Sequence, residues 1–186
     1  MAAAPSRLAS LSAIEAAVWR ELEAAPHDKL HPWRTPVLGT TDGVVGDART
    51  MVLRELRVAE RQLLMFTDSR SFKAAQIAAH PLGTLVMWSE ALGWQLRLRV
   101  RLGLEVDGLA ASSYWTRLKL SPAAHDYLSA LAPGSVIDQA HGPLGERAHF
   151  ALVEATVLAI DWLELHELGH RRARFEPGVA PRWLQP

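Results

Sequence analysis

Residues 48–81 read ARTMVLRELRVAERQLLMFTDSRSFKAAQIAAHP. The stretch predicts a strand, a short turn at Ala59 to Arg61, a returning strand over Gln62 to Thr67, and then a polar corner that opens a helix. The helix runs from Phe72 to His80 and is stopped by Pro81, which has no N–H to continue the ladder. Ser69, Arg70, Ser71 and Lys73 crowd the corner. A helix start presents unpaired backbone N–H groups and a partial positive charge, so a basic, hydroxyl-bearing corner there is a seat for a phosphate. We read it as the phosphate end of a cofactor site. The leading strand, Arg49-Thr50-Met51-Val52-Leu53-Arg54, has Arg49, Met51 and Leu53 on one face and Thr50, Val52 and Arg54 on the other. Both faces are mixed, which implies that part of one meets something other than solvent or core.

Composition limits what such a site serves. The chain has 186 residues, 49% of them hydrophobic and 22% charged, enough for one domain with a substantial core. Twenty basic residues balance twenty acidic ones, so no global field draws the protein to nucleic acid or to an anionic membrane, and any anion is bound locally. With no cysteine, disulfides, thiol nucleophiles, iron–sulfur clusters and cysteine-ligated zinc are excluded, a pattern that fits the cytoplasm. Lysine occurs only at Lys29, Lys73 and Lys119, which singles out Lys73 in the polar corner.

Upstream, Ser12 with Glu15 three residues on forms a capping-box pattern, predicting an N-terminal helix within residues 1–26 that ends before Pro26. Glu15, Arg20 and Glu21 break any apolar run, so neither a signal peptide nor a membrane span is expected. His31 to Thr41 reads as extended, and Asp42-Gly43 as a turn leading to the strand of Arg49.

Downstream, Thr84 to Ser89 is an apolar run of strand length. Gln95, Arg97, Arg99 and Arg101 then alternate with Leu96, Leu98, Val100 and Leu102, the clearest period-2 pattern in the chain. Gln95 and Arg97, nearest the Gly93 turn, are placed to reach a ligand at the end of a barrel. Asp107 to Leu120 reads as a helix. Ser121-Pro122 opens another that runs to Pro133-Gly134 and carries His125 and Tyr127 at a surface or subunit interface. A Gly/Pro-rich loop with Asp138, Gln139 and His141 follows, then a buried strand over Phe150 to Trp162, a turn at Gly169, a basic strand to residue 175, and an irregular tail over residues 176–186. The seven tryptophans are scattered, as core and interface tryptophans are. No P-loop, dinucleotide fingerprint, internal repeat or linker is present, so residues 1–186 read as a single domain.

RTMVLR at 49–54, FTDSRSFK at 66–73 followed by AAQIAAHP, Trp88, and Gln95-Leu96-Arg97 together resemble the pyridoxamine 5′-phosphate oxidase family. The resemblance covers roughly Pro26 to Gly134, with an echo in Ile160 to Phe175. It implies a mainly β fold, an FMN-binding split β-barrel of Greek-key type with several flanking helices, and a homodimer with FMN at the interface. It implies an FMN-dependent oxidoreductase acting on an unidentified small molecule, or a non-catalytic, stress-related FMN-binding protein whose substrate pocket has decayed. By position in the motifs, Arg49 holds the FMN phosphate within the matched segment Arg49, Thr50, Met51, Val52, Leu53 and Arg54, whose backbone from Met51 to Leu53 lines the ring. Phe66 and Thr67 lie beside the ring, and Ser71 and Lys73 grip the phosphate. Gln95, with Arg97 beside it, supplies an amide contact, and Arg174 approaches from the C-terminal strand.

The chain also departs from the family pattern. Phe72 stands where the family has an arginine directly before the lysine, and Arg70, two positions earlier, is the candidate replacement. The family's substrate tyrosine is followed four residues later by an arginine, but here the fourth residue after Tyr114 is Leu118. The basic strand has His170-Arg171-Arg172 in place of arginine-any-histidine. FMN binding is therefore better supported than oxidation of pyridoxamine phosphate. One competing motif remains: His166-Glu167-Leu168-Gly169-His170 satisfies H-E-x-x-H, which on a helix makes a zinc peptidase site. Gly169 fits a turn better than a helix interior, which favours a hairpin with solvent-facing histidines and no metal.

Overall fold

A computed structural model describes residues 7–138, 140, 142–145 and 148–186. Gln139 and His141 lie outside the described residues. The described residues form nine strands: β1 (Val37–Thr41), β2 (Gly46–Thr50), β3 (Leu53–Arg57), β4 (Gln62–Asp68), β5 (Leu82–Ser89), β6 (Trp94–Glu105), β7 (Phe150–Glu164), β8 (Arg171–Glu176) and β9 (Val179–Leu184). Three α-helices accompany them: α1 (Leu11–Ala24), α2 (Phe72–Ala79) and α3 (Leu109–Leu118). No helix among the described residues is long and apolar enough to cross a membrane.

All the strand pairs are antiparallel, in the order β2-β1-β5-β6-β7-β4-β3, with β8 joined to β7 and β9 to β8. The strand β7 explains the shape. Its first half, Phe150 to Thr156, pairs with β4, and its second half, Ile160 to Glu164, pairs with β8, while β6 runs along its other edge throughout. The β6 register slips between Arg99 and Val100, near the place where β7 changes partner. A bulge of this kind bends and twists a strand, letting one long strand serve two successive partners, β4 and β8. The result is a split barrel whose sheet does not close.

Alternation in β6 buries Leu96, Leu98, Val100 and Leu102 and turns Gln95, Arg97, Arg99 and Arg101 outward. The start of β7 is covered on both faces, with Val153 and Ala155 in the barrel core and Phe150 and Leu152 in a second cluster, which is why it reads as a nearly continuous apolar run. Ile14, Val18 and Leu22 of α1 pack onto the barrel core beside Trp33, Leu38, Leu53, Leu63, Met65, Leu85 and Trp162. On the other face of β4 and β7, Leu64, Phe150, Leu152 and Tyr127 form a second cluster under Ala111, Tyr114 and Trp115 of α3.

Several sequence expectations are corrected. The helix α1 is capped by Ser10, whose hydroxyl accepts from the Ala13 N–H at 3.2 Å, and not by Ser12. The strand expected over 49–54 is two strands, because β2 and β3 lie at opposite ends of the sheet with Met51 and Val52 between them. The helix expected after Ser121-Pro122 is a short 3-10 turn over Pro122–Tyr127, and Tyr127 is buried in the second cluster, not at a surface. The tail expected to be irregular forms β9. It is an edge strand, where Pro181 lacks an N–H without breaking a ladder on both sides. The H-E-x-x-H stretch is a turn, with Gly169 at φ 98°, and not a helix. Both histidine Nδ1 atoms face backbone N–H groups of the turn, from Leu168 to His166 at 3.0 Å and from His166 to His170 at 3.1 Å.

Candidate functional site

Ser71 is the N-cap of α2, in extended conformation, and its hydroxyl makes no capping bond to the helix. It lies 3.2 Å from the Thr67 hydroxyl at the end of β4, and Lys73 Nζ donates to the same Thr67 oxygen at 3.2 Å. Thr67 and Ser71 are buried. Burial holds the Lys73 ammonium below its ordinary pKa, and the nearby Arg49 guanidinium pushes it the same way, against Asp68 and Asp47. Lys73 enters no ion pair among the described residues.

Arg49 comes to this corner from β2. Its guanidinium donates to the Leu38 carbonyl at 3.3 Å, to the Thr40 hydroxyl, to Asp47, and to Gln76 Oε1 at 3.1 Å. Gln76 is buried on α2 and also accepts from the Thr40 hydroxyl. The sheet edge is thereby pinned to the helix that carries Lys73. Two cations, two hydroxyls and the N-terminus of an eight-residue helix converge, with one half-exposed carboxylate, Asp47, at the rim. A positive, donor-rich corner of this kind is chemically suited to a phosphate.

The other sequence candidates disperse. Thr50 is exposed at the end of β2, Met51 and Leu53 point into the core, and Val52 is half-buried. The Met51 N–H is used by the Pro36 carbonyl at 2.8 Å. Arg54 lies over the Phe66 ring at 5.4 Å, with its Nε buried and unpaired. Phe66 and Thr67, adjacent in β4, face opposite ways: Thr67 joins Ser71 and Lys73, whereas Phe66 packs on Phe150 at 4.9 Å and Tyr114 at 5.5 Å. Arg70 does not join Lys73. It makes a two-pronged pair with Asp68 at 2.8 and 3.1 Å and donates to the carbonyls of Ser129, Ala130 and Leu131. Asp68 captures it because the two residues flank one tight turn, so Arg70 anchors the 129–131 loop.

Gln95, Arg97 and Arg174 lie on the outer face of the sheet. Arg97 and Arg174 stand either side of Asp161 in register. Asp161 accepts from Arg97 at 2.9 Å and from Arg172 at 2.7 and 3.0 Å. Burial alone would raise the Asp161 pKa, but the two guanidiniums hold it below the ordinary carboxylate value. Sequence reasoning missed Thr40, Asp47, Gln76 and Asp161. For Gln76 a signal existed: it is a lone amide in the apolar run AAQIAA, one turn beyond Lys73.

The family model described as "Pyridoxamine 5′-phosphate oxidase, FMN-binding domain" matches residues 16–104. No curated protein matches the chain. Among solved structures, a pyridoxamine 5′-phosphate oxidase-related FMN binding protein of Nostoc punctiforme PCC 73102 aligns over 96% of this chain and 100% of its own, with a TM-score of 0.76 and 22% identity. PhzG of Burkholderia lata 383, solved with tetrahydrophenazine-1-carboxylic acid, aligns over 93% of this chain and 92% of its own, with a TM-score of 0.74 and 15% identity. A heme binding protein of Mycobacterium smegmatis aligns over 84% of this chain and 57% of its own, with a TM-score of 0.50 and 13% identity. At these identities the solved structures bear on the fold alone. The chain therefore resembles the pyridoxamine 5′-phosphate oxidase-like FMN-binding split barrels, in sequence over residues 16–104 and in fold over nearly its whole length.

Proposed function

We propose that this protein is a cytoplasmic FMN-dependent oxidoreductase that works as a homodimer on a small-molecule substrate. The observation that carries the reading is the corner of Arg49, Thr67, Ser71 and Lys73 at the start of α2, where a half-buried ammonium stands beside a guanidinium with no carboxylate paired to it. An FMN phosphate, close to a dianion, supplies the missing negative charge, and charge-assisted hydrogen bonds to it contribute roughly 1.5–3 kcal/mol each. Thr67 and Ser71 would donate hydroxyls to the phosphate, and Gln76 holds Arg49 in place. The strand-free residues Met51 and Val52, at the open edge of the barrel, offer backbone for the ring. Gln95, Arg97 and Arg174 face outward, where they would reach the cofactor of a second subunit. FMN, if bound, would supply redox chemistry of the hydride-transfer class, and the protein's part would be to hold and orient it.

A second reading, a non-catalytic FMN-binding protein, draws on the surroundings of Tyr114. Its hydroxyl donates to Glu55 Oε2 at 2.7 Å, and Arg117 lies over its ring at 4.7 Å. The position where the family grips its vitamin phosphate is thus occupied by internal contacts. Purified protein is expected to be yellow with flavin absorbance bands. A colourless protein that does not take up added FMN, or one with a heme Soret band, would overturn both readings. Oxygen uptake with pyridoxamine phosphate and with a panel of small organic acids separates the two: turnover of any of them supports the enzyme, and none supports the binding protein.

A further inference from the structure

Between α1, the turn from β5 to β6 and the end of β7, the fold leaves a cavity of about 360 Å³ lined by, among others, Leu8, Ala17, Arg20, Glu90, Leu92 and Trp94. It lies at the far end of the fifteen-residue strand β7 from the corner at α2: Glu164, the last residue of β7, lines the cavity, whereas Phe150, the first, pairs with Asp68 beside the corner. Its apolar wall is already in place. Trp94 is 7% exposed, and its ring is wedged against Trp162 at 5.4 Å and Trp33 at 6.5 Å. The remaining lining carries charges of both signs, and several of these are spent. Glu164 accepts from Arg7 at 2.7 Å and from Arg171 at 2.8 Å, and Glu21 faces His31 at 3.0 Å. Arg20 of α1 and Glu90 of the turn are both exposed, and their side chains enter no ion pair or hydrogen bond among the described residues, with each other or with any third group. A lone unpaired charge is ordinary on a surface. An unpaired cation and an unpaired anion on different walls of one apolar hollow ask for a ligand that carries both signs.

We infer that this cavity binds a free amino acid with a large apolar or aromatic side chain, its carboxylate on Arg20, its ammonium on Glu90 and its side chain against Trp94. A ligand with one charge would satisfy one wall and leave the other unpaired, whereas a zwitterion makes a charge-assisted hydrogen bond on each side. The cavity volume is at the small end of the range for ligand sites, roughly 300–1,000 Å³, which suits one small molecule and not a nucleotide. An indole held by two others presents its face without first having to be ordered, so contact with it comes at little entropic cost. None of the lining residues belongs to the corner at α2 or to the outward row of Gln95, Arg97 and Arg174. The site is therefore additional to the proposed cofactor site and does not rest on it.

The test uses the full-length protein as purified, in isothermal titration calorimetry with three probes: L-phenylalanine, 2-phenylethylamine, which keeps the ammonium and lacks the carboxylate, and 3-phenylpropanoate, which keeps the carboxylate and lacks the ammonium. L-Phenylalanine is expected to bind, and each of the other two about tenfold or more weakly, as loss of one charge-assisted bond implies. Arg20→Gln should lose the preference for L-phenylalanine over 2-phenylethylamine, and Glu90→Gln should lose the preference over 3-phenylpropanoate. Both side chains are exposed, so neither change disturbs the core, and the wild-type ranking of the three probes tests the proposal without either variant. The proposal is overturned if L-phenylalanine does not bind at millimolar concentration, if either single-charge probe binds as tightly as it does, or if either variant keeps the wild-type preferences. Failure of the FMN reading shows differently, as missing flavin absorbance in protein that still binds L-phenylalanine.

Discussion

Gln76 Oε1 accepts a hydrogen bond from Arg49 Nη2 at 3.1 Å, so the guanidinium of an edge strand is held by the helix that carries Lys73. The same oxygen accepts from the Thr40 hydroxyl, and the amide is buried. One amide thus sets the distance between the two cations of the corner. Gln76→Ala is expected to weaken FMN binding by roughly tenfold and to cost about 1–3 kcal/mol of stability, since it leaves the Thr40 hydroxyl and Arg49 short of an acceptor. Flavin fluorescence titration and urea unfolding measure the two effects, and unchanged affinity would remove Gln76 from the site.

The double variant Arg49→Ala, Lys73→Ala should lose FMN while keeping the far-UV circular dichroism of the parent. Both side chains lie at the rim of the fold and neither belongs to the apolar core. Full flavin occupancy in the purified double variant would refute the phosphate assignment.

Lys73 also predicts a pH dependence. Its folded pKa lies below the ordinary lysine value of 10.5, from burial first and then from Arg49. The unfolded chain therefore binds more protons than the folded one in the alkaline range just under that value, and stability should rise with pH there. A bound phosphate or FMN offers the ammonium a counter-charge and should abolish the rise, as should Lys73→Met. Unfolding free energies measured across that range with and without inorganic phosphate test the sign.

Glu164 makes the opposite case at the other end of the barrel. It is buried and accepts from Arg171 at 2.8 and 3.0 Å and from Arg7 at 2.7 Å. Burial would raise its pKa, but Arg171 and Arg7 bring it below the ordinary glutamate value. Its stabilisation is present above the unfolded pKa and is lost as pH falls through the depressed folded one. Glu164→Gln leaves two guanidiniums without their charge partner and should cost about 3 kcal/mol at neutral pH. The loss should shrink below roughly pH 4 in thermal melts, near the ordinary carboxylate range.

Phe66→Ala should destabilise by about 3 kcal/mol through the cavity left among Phe150, Tyr114 and Arg54. FMN affinity should stay near the parent value, because Phe66 and Thr67 face opposite sides of β4. A large loss of affinity with little loss of stability would place the ring beside Phe66 instead.

The legible parts of this chain were those where one periodicity governs. Leu96 to Leu102 alternates cleanly because β6 has one wet face and one dry one, and the run from Phe150 is apolar because the start of β7 is buried on both faces. The corner at Ser71 and Lys73 was readable because helix starts have their own chemistry. The break at Met51 and Val52 was not, since both flanking strands favour extended backbone and only the global sheet order separates them. The contacts of Arg70 were hidden for a similar reason: its partner Asp68 is local, but the carbonyls of Ser129, Ala130 and Leu131 come from a loop some sixty residues away. The pairing of Arg49 with Gln76 likewise depends on α2 folding back against β1.

Met51 and Val52 are the whole of the chain between β2 and β3, the strands at the two ends of the sheet's main run. They act as a calliper: two residues fix the width of the seam, and with it the offset between Arg49 on one jaw and Leu53 on the other. A single inserted glycine would open the jaws by one residue's reach, about 3.3 Å, without touching any charged group.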